Sequence, residues 1–231
     1  MDKQPKNPSP RLVDRLFLWA YWRSLRRAAA GLVADPRPLL ADVAARRDAY
    51  LAGDRHRLVD RASASHLWMT STVAATYEAL RARPALRERA LEVTRALFLG
   101  TGQRSTRRGM ALFALLPDPF RAMVSISKGK ERGYYGATFE RRVEQDDASA
   151  YRMSIHRCFY HQFFVDHGVP ELGPVFCEKD HDWGDAIDPG RLGLRFDRPT
   201  TLATGGDRCR FEFRRVRLPI VDARATAPDG G

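Results

Sequence analysis

Apolar residues recur with helical spacing through nearly all of the first hundred positions, and period-two alternation begins only after Gly136. That switch of period separates a helical half from a half that contains strands. Ser9-Pro10 reads as an N-cap followed by proline in the first turn, opening a helix that runs from Leu12 to about Val33. Its Leu16 and Trp19 side is expected to pack inward, leaving Arg15, Arg23, Arg26 and Arg27 outside. Further helices are expected from Pro38 to about Leu51, from about Ser63 to Arg83, and from Leu86 to Leu99. In the third of these, Met69, Val73, Tyr77 and Leu80 mark the inward face.

The second half alternates strands with short helices. Thr138 to Val143 and Tyr151 to Ile155 flank Asp146-Asp147-Ala148-Ser149 as a hairpin. Cys158 to His167 and Pro170 to about Trp183 read as helices, and Leu192 to Phe196 and Arg208 to Val216 as half-buried strands. Helices first, then strands with helices between, is an α+β plan: a helical N-terminal half packed on a C-terminal antiparallel sheet with intervening helices. One domain is expected over residues 11–222, helical over about 11–125 and strand-rich over about 137–217, with a flexible tail at 1–10 and a disordered one at 223–231.

Composition narrows the function classes. The longest strongly apolar run, Leu16 to Trp22, is far short of the roughly 20 residues a membrane helix requires. No signal-peptide core precedes it, so a cytoplasmic location is expected. The net charge of +11 invites nucleic acid, but 34 arginines against 5 lysines, spread along the whole chain, reflect coding background better than a binding footprint. The expected partner is a small-molecule substrate, with neither nucleic acid nor membrane, and a homodimer is compatible with the chain.

All three cysteines and four of six histidines fall between His156 and Cys209. Cys158 and His161 stand one helical turn apart, and Cys177 and Asp180 repeat that spacing. Three readings compete. Cys177 can be a nucleophile with Asp180 or His161 moving protons. Cys158, His161, Cys177 and Cys209 can hold one zinc ion, although no Cys-x2-Cys knuckle exists. Or the cysteines are small buried hydrophobes; this is the reading for Cys209, which alternates with Phe211 and Phe213 towards the core. His66, in an apolar helix, reads as a core histidine. The acidic run Asp180, Asp182, Asp185 and Asp188 holds either acid–base groups or a solvated loop. The glycine-rich basic stretch from Ser127 to Gly136, with Lys130 and Tyr135, reads as a mobile loop or lid that favours anions.

Four ordered blocks carry a resemblance: Cys158-Phe159-Tyr160; Gly168-Val169-Pro170-Glu171-Leu172; Phe176-Cys177-x-x-Asp180; and Thr201-Leu202-Ala203-x-Gly205-Gly206-x-x-Cys209-x-Phe211. Together they resemble the L-2-amino-thiazoline-4-carboxylic acid hydrolase family, and Thr76-Tyr77-Glu78-Ala79-Leu80 resembles its N-terminal half. The resemblance implies a hydrolase that opens a cyclic amidine bearing a carboxylate, without a cofactor unless zinc fills that role. Cys177, Asp180, His161 and Cys158 are then the catalytic candidates, and Glu171, Thr201, Lys130 and Tyr135 the substrate-binding ones. An arginine should hold the carboxylate, but the sequence offers too many to choose from. A diverged member catalysing cyclisation or another C–N or C–S bond change in bacterial specialised metabolism is the alternative enzyme. A small-molecule binding module is the alternative outside catalysis.

Overall fold

The computed structural model describes residues 9–216; the tails expected at 1–10 and 223–231 and the domain end at 222 fall largely or wholly outside that range. The chain is α+β, with the helical half first. α1 (Leu12–Leu32) and α2 (Arg37–Gly53) lead to α3 (Arg61–Arg81), which is followed by α4 (Ala90–Gly100), α5 (Gln103–Phe113) and α6 (Pro119–Gly133). The hairpin β1 (Glu140–Asp146) and β2 (Ala150–Arg157) comes next, then α7 (Phe159–Asp166), α8 (Leu172–Glu178), α9 (His181–Gly184) and α10 (Pro189–Leu192). β3 (Leu194–Asp197) and β4 (Cys209–Arg215) complete an antiparallel sheet of order β1-β2-β4-β3.

α3 is the axis of the helical half. It is buried on nearly every side, which its low amphipathicity and its Ala, Ser and Thr content permit, because small side chains let neighbouring helices approach closely. Its threonine hydroxyls are paired within the helix: Thr70, Thr72 and Thr76 donate to the carbonyls of His66, Trp68 and Thr72, one turn back. Asp60 caps the first turn by accepting from the Ser63 backbone N–H at 2.6 Å, while the Ser63 hydroxyl accepts from the Asp60 N–H at 2.9 Å. The sheet meets the helices with one face. Its cross-strand pairs Tyr151↔Phe213, Met153↔Phe211 and Ile155↔Cys209 are all buried, as period-two alternation requires.

Four local expectations change. α1 starts at Leu12 with Arg11 as its cap residue and no side-chain cap, rather than at Ser9-Pro10. The buried side of α1 is Asp14, Leu18, Tyr21, Leu25 and Ala29, leaving Leu16 58% and Trp19 61% exposed. Leu18, Tyr21 and Leu25 form an equally apolar stripe on the opposite side of the helix, and that stripe is the one that packs inward. Residues Ser127 to Gly133 are not a loop or lid but the last two turns of α6, whose cap Asp118 accepts from the Arg121 backbone N–H at 3.0 Å. The helix expected from Pro170 to Trp183 is broken into α8 and α9.

Candidate active site

The helical half and the sheet enclose a cavity of about 300 Å³. Its floor is the cross-strand pair Ile155 and Cys209; its walls come from α1, α7 and α8 and from the segment after α6. Gly173 is what lets α8 approach the turn that carries Leu202 and Ala203. A Cβ there would stand 3.0 Å from that of Ala203 and 3.9 Å from His161 Nδ1.

The cavity brings together Cys158, His161, Cys177, Asp180, Lys130 and Tyr135. Thr201 stands just behind it, its hydroxyl 2.9 Å from that of Thr204 and beside the Cys177 thiol. Glu171 is a correction: it does not reach the cavity, because it accepts a 2.6 Å hydrogen bond from the Tyr77 hydroxyl and lies 3.6 Å from Arg81, tying the α7–α8 connection to α3. Of the acidic run, Asp180 and Asp182 face the cavity while Asp185 and Asp188 are exposed. Asp182 is held by Lys179 Nζ at 2.6 Å and by Gln103 Nε2 at 3.1 Å.

The residue that organises this wall is Arg198. Its side chain is only 8% exposed, and its Nη1 donates both to Asp180 Oδ2 at 2.6 Å and to the Cys177 carbonyl at 2.8 Å. The guanidinium lies over the Phe211 ring, 4.5 Å from its centroid. Burial works against its charge, but Asp180, Cys177 and Cys209 outweigh burial and raise its pKa. Nε is buried without a hydrogen-bond partner. The cation borders the cavity, where it can hold an anion.

Burial raises the Cys177 pKa, and the nearby Arg198 charge only partly opposes it. Cys158 is pushed up to about 12 by burial, with the His161 backbone N–H opposing. At neutral pH both are thiols. Asp180 Oδ1 also takes a 3.3 Å hydrogen bond from the Trp183 indole N–H. Among the described residues no group of three or more His, Cys, Asp or Glu side chains is arranged to hold a metal ion.

A second polar feature runs behind the cavity. His66 Nε2 is 2.8 Å from the Tyr134 carbonyl, Tyr160 Oη is 2.8 Å from His66 Nδ1, and Tyr134 Oη is 2.6 Å from Tyr160 Oη. Burial lowers the His66 pKa to about 4, so the imidazole is neutral at pH 7. A carbonyl can only accept, so the proton sits on Nε2 and Nδ1 accepts from Tyr160. Tyr160 must then accept from Tyr134. His66 is thus the satisfied core histidine that its apolar helix suggested, and Tyr134 and Tyr160 border the cavity while their hydroxyl protons are committed to the chain that ends on His66.

Sequence reasoning passed over Arg198, Tyr134 and Tyr160 as site residues. For Arg198 a signal existed: it follows Leu194 and Phe196 at period two, in phase with the inward side of β3.

A family model described as L-2-amino-thiazoline-4-carboxylic acid hydrolase matches residues 65–213, more than half of the chain. No curated protein and no solved structure matches it.

Proposed function

The chain belongs to the L-2-amino-thiazoline-4-carboxylic acid hydrolase family, and on that premise we propose that it hydrolyses a small carboxylate-bearing cyclic amidine, opening the ring at the carbon between nitrogen and sulfur. The observation that carries this reading is Arg198, a buried cation that joins Asp180 and the Cys177 backbone on the cavity wall.

In this mechanism the substrate carboxylate docks against Arg198 where it borders the cavity. Asp180 takes a proton from a water molecule as its oxygen attacks the amidine carbon, giving a tetrahedral adduct. Return of that proton to the departing ring atom breaks the ring. Cleaving the C–N bond leaves an S-carbamoyl product; cleaving the C–S bond leaves an N-carbamoyl product with a free thiol. Tyr135 and His161 border the same space and supply hydrogen bonds to the amidine nitrogens.

Attack by Cys177 is the second reading, favoured by the Arg198 charge and the Thr201 hydroxyl beside its sulfur. Because burial keeps Cys177 protonated, this route needs Asp180 to remove the thiol proton first.

The test is mass spectrometry of 2-aminothiazoline-4-carboxylate incubated with the protein in ¹⁸O water, alongside Cys177→Ala. The water route predicts a labelled carbamoyl product from both proteins. Turnover lost in Cys177→Ala, with a covalent adduct on wild-type Cys177, would transfer the attack to the thiol. An unchanged substrate with every protein would refute the proposed reaction.

A further inference from the structure

A second cavity, of about 250 Å³, abuts the first and shares Thr106, Lys130, Tyr135, Asp180, Trp183 and Phe211 with it. Its own lining differs in kind. Where the first holds thiols and an arginine, the second adds Met110, Phe113, Met123, Ile126, Met153 and Phe213. Ser127 is the one polar side chain it contributes alone.

The sheet register shows how the two compartments are laid out. Ile155 and Cys209, paired across β2 and β4, line only the first; Met153 and Phe213 line only the second; Phe211, the partner of Met153, belongs to both. Each step of two residues along a strand advances roughly 7 Å. The thiol end and the methionine end therefore lie on one continuous face, with Met153 one such step from Ile155 and Phe213 two steps from Cys209. Phe211 is the joint: it carries the Arg198 guanidinium on its ring and also borders the methionine end. Above it, Lys130 Nζ lies 5.5 Å from the centroid of the Trp183 ring, and both residues border the two compartments.

We infer that the natural ligand is a carboxylate with an apolar arm, its head on Arg198 and its arm passing Phe211 and Trp183 into the methionine-lined compartment. A bare aminothiazoline carboxylate reaches only the first compartment. Functional small-molecule sites span roughly 300–1,000 Å³; the first cavity sits at the lower edge of that range, and the two together lie well inside it. Methionines suit such an arm because unbranched, polarizable side chains adapt to alkyl or aryl groups of varied shape. The head-group half of this inference rests on the proposed function; the apolar half rests on the second compartment alone.

Calorimetric titration of straight-chain monocarboxylates from acetate to octanoate, and of the matching n-alcohols, separates the two halves. Burial of each methylene should tighten binding by about three- to fourfold until the arm compartment is full, in both series. Met153→Phe, which narrows that compartment from the sheet, and Ser127→Phe, which narrows it from α6, should flatten the rise with chain length. Ser127 is only half-buried, so the second variant serves if Met153→Phe fails to fold. A wild-type affinity that does not rise with chain length in either series overturns the apolar arm. A rise that both variants leave intact does the same. Alcohols that equal carboxylates at every length would remove the Arg198 head contact while leaving the arm in place.

Discussion

Arg198 Nη1 lies 2.6 Å from Asp180 Oδ2 and 2.8 Å from the Cys177 carbonyl, so one buried guanidinium fixes both the acid–base candidate and the helix that carries the nucleophile candidate. Removing it does two things at once. Arg198→Gln should raise KM for a carboxylate substrate and also destabilise the fold, because a partly buried carboxylate loses its partner. Breaking such a pair by removing one member costs about 3–5 kcal/mol when both ions are buried; with Asp180 31% exposed, a smaller loss is expected. Arg198→Lys, which keeps the charge but not the fork, should recover most of the stability and little of the KM. Urea denaturation and initial rates on the two variants read these separately.

Stability should fall in mild acid because of His66. Its folded pKa is about 4, below its ordinary 6.5, since burial disfavours the imidazolium. The unfolded chain therefore binds more protons between these values. The associated stability is fully present above pH 6.5 and declines as pH drops towards 4, by about 3 kcal/mol in all. Urea midpoints measured from pH 7.5 to 4.5 should show this decline in wild type and a shallower one in His66→Gln.

Thiol chemistry offers a third check. With Cys209 buried and burial raising the Cys158 and Cys177 pKa values, all three thiols should react with iodoacetamide at pH 7 more slowly than free cysteine, and Cys158 should be slow even at pH 9. Peptide mapping after timed alkylation gives the three rates. In urea, all three should be modified at once.

Gly136 sits at φ +64°, and a Cβ there would meet the Asp60 carboxylate and stand 2.8 Å from the Ala62 Cβ. Asp60 Oδ2 accepts from the Ala137 backbone N–H at 2.7 Å and so ties the end of α6 to the start of α3. Gly136→Ala combines left-handed strain with a steric conflict and should cost about 2–4 kcal/mol. A thermal midpoint within a degree of wild type would contradict that account.

The α+β plan was legible because the change of period after Gly136 is sharp and because the β1–β2 hairpin has turn residues between alternating runs. Cys158, His161, Cys177 and Asp180 were legible as a group from their helical spacing and from the family blocks, and the structure places all four on one cavity. What local pattern could not supply was which face of a doubly apolar helix turns inward. The outward Trp19 of α1 is the instance. Among 34 arginines the period-two phase of Arg198 with Leu194 and Phe196 marks it as inward-facing, but its pairing with Asp180 comes from the fold. Three glycines and three cations made Ser127 to Gly136 resemble a loop, yet the Asp118 cap and the packing of Met123 against the core carry α6 through Gly129.

The central claim is that Asp180, held by Arg198, is the proton-transfer group of a hydrolytic reaction. The most direct measurement is kcat and KM for 2-aminothiazoline-4-carboxylate in wild type and Asp180→Asn, with circular dichroism confirming that the variant folds. A positioned acid–base group contributes about 10²–10⁴-fold, so kcat should fall by that factor with KM little changed. A folded Asp180→Asn enzyme that retains wild-type kcat would contradict the account.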